Sequence, residues 1–240
     1  MEITKVTREA RKLLPLKTCG AVIVAAGSAS RMGGIDKVMA SLGGEPMIVR
    51  TVRAFQNCDA ISSVVIVTRE DLIRPISGLC REMTKVAAVV AGGSSRQESV
   101  HLGLNALPKG TKLAAVHDGA RPLISWQVID RVVRAANTYG AAAPAIPVKD
   151  TIKVVRSGLV ESTPDRAVLW AVQTPQVFDF DLLRGALSKA AADGAQVTDD
   201  CSAVERMGMR VKIVEGDERN LKVTTPVDLR IAELLLEEET

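Results

Sequence analysis

Aromatic residues are scarce in this 240-residue chain: two Trp, one Tyr and three Phe. A base-stacking platform of the RNA-recognition or single-strand-binding kind needs more of them. Charge of one sign is also missing, because the net charge is only +3 and lysine and arginine form no block that would follow a duplex backbone. No nucleic-acid partner is expected. Long apolar runs are absent too, and residues 1–19 mix Glu2 and Glu9 with basic side chains where a signal peptide has an apolar centre. No membrane association and a cytoplasmic location are the expectation. The four cysteines, Cys19, Cys58, Cys80 and Cys201, lie far apart with no CxxC pair, as reduced and mostly buried thiols do. With only His101 and His117 in the chain, the sequence argues against a zinc site.

What is present is an ordinary globular composition, 47% hydrophobic and 25% charged, in a chain long enough to bury a substantial core. Residues 1–18 read as an N-terminal extension and 19–240 as a single domain. Strand-like runs at 21–26, 63–68, 85–90, 114–117, 142–147 and 210–215 alternate with helical ones. The segments 46–55 and 126–139 carry the 3.6-residue apolar period. That alternation predicts an α/β fold with a mainly parallel sheet covered by flanking helices. Ser95-Arg96-Gln97-Glu98 and Thr225-Pro226-Val227-Asp228 have the form of capping boxes, the second with proline at N1.

Residues 148–170 break the alternation. They read as two extended segments around Ser157-Gly158, a projecting β-arm whose apolar Ile152, Val154 and Val160 require a cover. A second copy of the chain is the simplest one, giving a homodimer; a hairpin folded back on its own domain is the alternative.

The segment from Ala21 to Lys37 runs a buried strand into a loop of small residues with Arg31 and Lys37 at its edge. Gly27 lets the backbone turn, and with only the small Ser28, Ala29 and Ser30 after it, main-chain N–H groups can approach an anion. The loop is neither GxxxxGK[ST] nor GxGxxG, so a P-loop NTPase and a dinucleotide-binding dehydrogenase both lose ground. Gly92-Gly93 with Ser99 opens the helix that follows another strand, and suits either a base and ribose or only a helix start. Asp118, in His117-Asp118-Gly119-Ala120-Arg121, is the best carboxylate for a hard cation such as Mg²⁺ held jointly with phosphates. An Asp118–Arg121 surface pair is the plainer reading of the same residues. Thr151 and Arg166 flank the arm, Thr198 precedes a helix N-cap, and Lys222 sits in Asn220-Leu221-Lys222-Val223; each is weak alone.

Taken in order, AAGxxxRM from Ala25, GGxxRxxSV from Gly92, HDGARP from His117, PVKDTIK from Pro147, DR at Asp165, VTDD from Val197 and NLKVTTPxDL from Asn220 resemble the 2-C-methyl-D-erythritol 4-phosphate cytidylyltransferase family. The resemblance covers nearly all of the chain after the extension. It implies a Rossmann-like nucleotidyltransferase fold, a homodimer interlocked through the arms, and Mg²⁺-dependent transfer of CMP from CTP to the substrate phosphate with release of pyrophosphate. It also implies that Arg31 and Lys37 stabilise charge on the α-phosphate and that Arg166 and Lys222 position the acceptor. Arg121, Thr151 and Thr198 would help to hold that acceptor, Arg166 and Thr151 coming from the partner subunit. Ala25, Ala26, Gly27, Gly92, Gly93, Ser99 and Asp118 would form the nucleotide side. Ala29 stands where glycine is common in the family, and Asp36 where proline is usual. The alternatives are a cytidylyltransferase for another polyol phosphate such as ribitol 5-phosphate, and a non-catalytic nucleotide-binding regulator.

Overall fold

A computed structural model describes residues 15–27 and 37–238. Arg31, with Ala29 and Asp36, lies outside the described residues, as does most of the N-terminal extension. In chain order the elements are β1 (Cys19–Ala25), β2 (Ser41–Leu42), β3 (Glu45–Pro46), α1 (Met47–Gln56), β4 (Ser63–Thr68), α2 (Ile73–Leu79), β5 (Val86–Ala91), α3 (Arg96–Ala106), β6 (Leu113–Asp118) and α4 (Trp126–Tyr139). They continue with β7 (Ala141–Pro147), β8 (Val154–Arg156), β9 (Leu159–Ser162), β10 (Trp170–Val172), β11 (Gln176–Asp179), α5 (Phe180–Ala192), α6 (Asp200–Glu205), β12 (Lys212–Glu215) and α7 (Pro226–Glu237).

One sheet runs β10-β7-β11-β6-β1-β4-β5, with β12 added parallel to β7. The strand pairs β1–β4, β1–β6 and β4–β5 are all parallel. The chain winds outward from β1 through β4 to β5, then crosses back to place β6 on the other side of β1. That reversal opens a crevice at the carboxyl ends of β1 and β6, where open α/β sheets bind ligands.

Strand periodicity sorts the core into two layers. Ala21, Ile23 and Ala25 of β1 face α1 and α4, through Ile48, Val52, Phe55, Ile129 and Val133. Val22 points the other way, toward Val100 and Leu104 of α3 and Leu183 and Leu187 of α5. Each such aliphatic side chain contributes roughly 1.5–3 kcal/mol when fully buried. Helix α4 buries Val128, Ile129, Val132, Val133 and Ala136, the stripe its sequence period demands, and stops at Gly140, whose φ of 81° is a left-handed C-terminal cap. A third, smaller cluster of Leu42, Met47, Val223 and Ala232 ties β2, α1 and α7 together.

Two details differ from the sequence expectations. Strand β11 enters the middle of the sheet antiparallel to both β6 and β7. It is the continuation of β10, and two extra residues accumulate between the pairs Val172–Ala145 and Val177–Ala142, a bulge that turns Thr174 toward β6. The Ser95 box is half made: Ser95 Oγ accepts from Glu98 N at 3.0 Å, but the Glu98 carboxylate reaches past it to Ser94 N and Oγ, both at 2.7 Å. Thr225 and Asp228 form the complete box. The arm does not fold onto its own domain. β8 and β9 pair across a two-residue turn with positive φ at both Ser157 (49°) and Gly158 (80°), the twist that suits a tight hairpin, and every residue from 149 to 163 is exposed.

Candidate active site

Three loops that follow parallel strands meet on one rim. Ala26 and Gly27 leave β1, residues 93–95 follow β5, and Asp118 ends β6. Together with Lys37 and Lys222 they line a cleft of about 460 Å³. The walls nearest the β1 and β5 loops are small side chains, and the charged groups gather at Asp118.

Asp118 is the centre of that charge. Lys222 Nζ lies 2.8 Å from Oδ2 and Arg121 Nε 3.5 Å from the same oxygen, while Arg96 Nε stands 3.8 Å from Oδ1. The other end of the Arg96 fork meets Asp200 Oδ2 at 2.7 Å, and the Asp200 side chain is buried. Burial alone would raise the Asp118 pKa, but Lys222, with Arg96 and Arg121 behind it, outweighs that and holds it at about 2. Asp200 is pushed upward by burial despite Arg96. His117, one residue before Asp118, is fully buried against Phe55, with ring centroids 4.9 Å apart. Desolvation holds its pKa at about 3, with Asp118 opposing the shift and Arg121 adding to it.

Lys222 reaches Asp118 because its segment is bolted to the rim. Val223 N donates to Ala120 O at 2.8 Å and Arg121 Nη1 donates to Asn220 O at 2.7 Å. Asn220 Nδ2 donates in turn to Thr174 O at 2.9 Å. These contacts join residues roughly fifty to a hundred positions apart.

The structure brings together Ala25, Ala26, Gly27, Lys37, Gly93, Ser99, Asp118 and Lys222 on the cleft wall, with Arg121 behind Asp118. Gly92 sits just behind the wall. A Cβ there would stand 2.4 Å from Ala26 Cβ and 2.9 Å from Ser99 Oγ, so this glycine packs the two loops together and the ligand-side approach falls to Gly93. Ser99 has little bonding capacity left, since its hydroxyl donates to Ser95 O at 2.9 Å and accepts from Gly93 N at 3.1 Å. Thr151 and Arg166 are exposed on the arm, and Arg166 Nη1 donates to Lys149 O of its own loop. Thr198 is exposed beside the α6 cap, 3.5 Å from Ser202 Oγ. Arg96 and Asp200 are the charged residues that sequence reasoning missed. Both stand inside quoted motifs, but one looked like a helix-start residue and the other like part of an N-cap.

Asp118 also decides whether a hard cation fits. No group of three His, Cys, Asp or Glu side chains is assembled among the described residues. One oxygen of Asp118 is taken by Lys222, and the other has Arg96 only at 3.8 Å, beyond hydrogen bonding. A single available carboxylate oxygen suits Mg²⁺ when phosphates supply its other ligands, and does not suit a metal bound by protein alone.

The family model for 2-C-methyl-D-erythritol 4-phosphate cytidylyltransferase (IspD) matches residues 19–238. A protein of that name from Symbiobacterium thermophilum is 48% identical over 220 residues, covering 91% of this chain and 92% of its own length. Among solved structures, 4-diphosphocytidyl-2C-methyl-D-erythritol synthase from Anaerococcus prevotii superposes with a TM-score of 0.85 at 30% identity, covering 92% of this chain and 96% of that one. The Thermus thermophilus 2-C-methyl-D-erythritol 4-phosphate cytidylyltransferase gives 0.76 at 32%, covering 90% and 98%. A match across the whole described fold, with identity of this order over nine-tenths of the chain, leaves one conclusion: the chain belongs to the 2-C-methyl-D-erythritol 4-phosphate cytidylyltransferase family.

Proposed function

We propose that the cleft transfers CMP from CTP to 2-C-methyl-D-erythritol 4-phosphate, releasing pyrophosphate, in isoprenoid precursor synthesis. The observation that carries this reading is the convergence of Lys37, Lys222 and Arg96 on a cleft whose nucleotide side is walled by small residues. Nucleotidyl transfer asks little covalent chemistry of a protein; it needs alignment and charges aimed at the α-phosphate. The acceptor phosphate attacks in line and the pyrophosphate leaves, so no side-chain nucleophile takes part.

Lys37, at the mouth of the β1 loop, is assigned to the α-phosphate together with Arg31. Lys222, oriented by its 2.8 Å pair with Asp118, is assigned to the acceptor phosphate together with Arg121 and Thr198. Asp118 is the residue that would hold Mg²⁺ against the CTP phosphates; such an ion supplies charge neutralisation there. The pocket of Ala25, Ala26, Gly27, Gly93 and Ser99, with Gly92 packed behind it, selects cytosine by leaving little room for a purine. ATP or GTP turned over at rates comparable to CTP would remove that selection.

The arm completes the site from a second copy. Thr151 and Arg166 lie on an element whose apolar Val155, Leu159 and Val160 are exposed, and a homodimer would cover these while carrying both polar residues to the neighbouring acceptor pocket. Mixing Lys37→Ala and Arg166→Ala subunits should restore one working site per heterodimer; heterodimers without recovered activity would contradict shared sites. A cytoplasmic setting fits the four cysteines, all buried as free thiols. No helix among the described residues is long and apolar enough to cross a membrane.

The test of the whole reading is pyrophosphate release from CTP and Mg²⁺ with 2-C-methyl-D-erythritol 4-phosphate, beside ribitol 5-phosphate. Release with the first is expected. Release only with the second would move the protein to the sibling activity, and release with neither would make it a nucleotide-binding regulator.

A further inference from the structure

The turn from Asp118 to Arg121 carries two of the charged groups at the rim, and its two ends are gripped by one side chain. His117 Nε2 lies 3.3 Å from Arg121 O, and Nδ1 lies 3.0 Å from Thr174 Oγ1. Thr174 Oγ1 in turn accepts from Asp118 N at 3.1 Å. A carbonyl oxygen only accepts, so Nε2 carries the ring proton, and Nδ1 is left to accept from the Thr174 hydroxyl. Every group in this chain then has one role: Asp118 N–H donates to Thr174, Thr174 O–H donates to His117, and His117 Nε2–H donates to Arg121 O.

Thr174 is fixed from the other side as well, since its carbonyl accepts from Asn220 Nδ2 at 2.9 Å. The imidazole cannot drift, being fully buried and packed on Phe55. A neutral network closed in this way, out of water, is stiff. Gly119 lies between the clamped ends, and its N–H bonds Val24 O at 2.8 Å while a Cβ there would stand 3.1 Å from the same oxygen. The turn is thus pinned at its start, middle and end.

From this we infer that His117 is a positioning residue of the reaction: through Thr174 it sets where the Asp118 carboxylate stands at the reacting phosphates, and through the Arg121 carbonyl where the Arg121 guanidinium stands at the acceptor side of the cleft. The inference rests on the cytidylyl-transfer reading and deepens it. The nucleotide side is assigned to the loops after β1 and β5, whereas the hydrogen bonds of the His117 ring among the described residues go to Arg121 and Thr174. Loss of the clamp therefore acts on the reacting phosphates through Asp118 and Arg121, and leaves in place the loops that hold the rest of the nucleotide.

Two measurements test it, and the first does not depend on activity. With only two histidines in the chain, ¹⁵N NMR of the full-length protein with His101→Gln as the assignment variant reads the His117 tautomer directly. The Nε2–H form is expected, and an Nδ1–H form overturns the network. Second, Thr174→Val removes the hydroxyl at nearly constant shape. A fall in kcat of about tenfold or more is expected, with KM for CTP unchanged within a factor of about three, and Thr174→Ser should restore kcat. His117→Gln keeps a donor toward Arg121 O and should fall less than His117→Phe. Wild-type kcat in Thr174→Val and His117→Phe would reduce His117 to a core residue. A parallel rise in KM for CTP and loss of kcat that Thr174→Ser does not rescue would do the same. If the wild-type protein releases no pyrophosphate at all, the functional reading fails, while the NMR result still decides the network.

Discussion

The rim around Asp118 and the hairpin from Val154 to Ser162 are opposites within one chain. At the rim, Asp118, Arg96, Asp200, Arg121 and Lys222 form one network of ion pairs, and neutral hydrogen bonds from His117, Thr174 and Asn220 hold the turn that carries Asp118 and Arg121. In the hairpin, Leu159 is 75% exposed and Val160 60%, and among the described strands the two short ones pair only with each other. In the proposed reading the two divide the labour: the nucleotide side belongs to a single subunit, and the arm of a second completes the acceptor side. The largest effect should therefore come from a charge within the cleft. Lys37→Ala is expected to lower kcat by roughly a hundredfold or more, in line with loss of one donor to developing charge, while CTP binding measured by calorimetry persists. Unchanged kcat would place Lys37 outside the reaction and leave the comparison without its catalytic half.

The arm should answer to association, and fold stability should not register it. Leu159→Ser removes a side chain that is mostly in water in the lone chain, so denaturant unfolding of the subunit should shift by no more than about 0.5 kcal/mol. If a second copy buries Leu159, each copy forfeits about 1.5–3 kcal/mol, and the dimer dissociation constant should rise at least about tenfold in sedimentation experiments. Activity should fall at low protein concentration and recover at high. A variant that loses subunit stability and keeps its association would reverse the assignment of the two regions.

Much of this contrast was legible in the sequence, and the rest was hidden for a physical reason. Local pattern located β4 at Ser63–Thr68 and α4 at Trp126–Tyr139, because a buried β-branched run and a 3.6-residue stripe are properties of neighbouring residues. The Ser157-Gly158 turn was legible for the same reason. Strand β11 was not: four residues, Gln176–Asp179, carry no period, and their place between β6 and β7 depends on partners some 35 to 65 positions away. The candidate site divides the same way. Asp118, Lys37 and Lys222 stand in loops whose charge is visible, whereas Arg96 reaches Asp200 across 104 positions and Thr174 reaches Asp118 across 56. Nor does a sequence reveal that Gly92 is a packing glycine, since the atoms it makes room for, Ala26 Cβ and Ser99 Oγ, come from two other segments.

Acid should separate the two regions further. His117 is neutral in the folded protein, its pKa held at about 3 by burial, while in the unfolded chain it titrates near 6.5. Below that value the unfolded chain takes up a proton that the folded protein refuses. Stability is thus fully present above about pH 6.5 and is lost as the pH falls toward 3, at up to about 1.4 kcal/mol per pH unit. Between pH 7 and pH 5 the wild-type protein should lose about 2 kcal/mol through this group, beyond the loss shown by His117→Asn, which has no proton to take. The hairpin contributes no such term, because residues 149–163 are exposed and contain no histidine. Hydrogen exchange at pH 5 should accordingly show β6 and the Asp118–Arg121 turn losing protection relative to pH 7, with β8 and β9 unchanged between the two. Equal pH dependence in wild type and His117→Asn would mean that the imidazole reaches water, and the contrast between a sealed rim and an open arm would fail at its most buried residue.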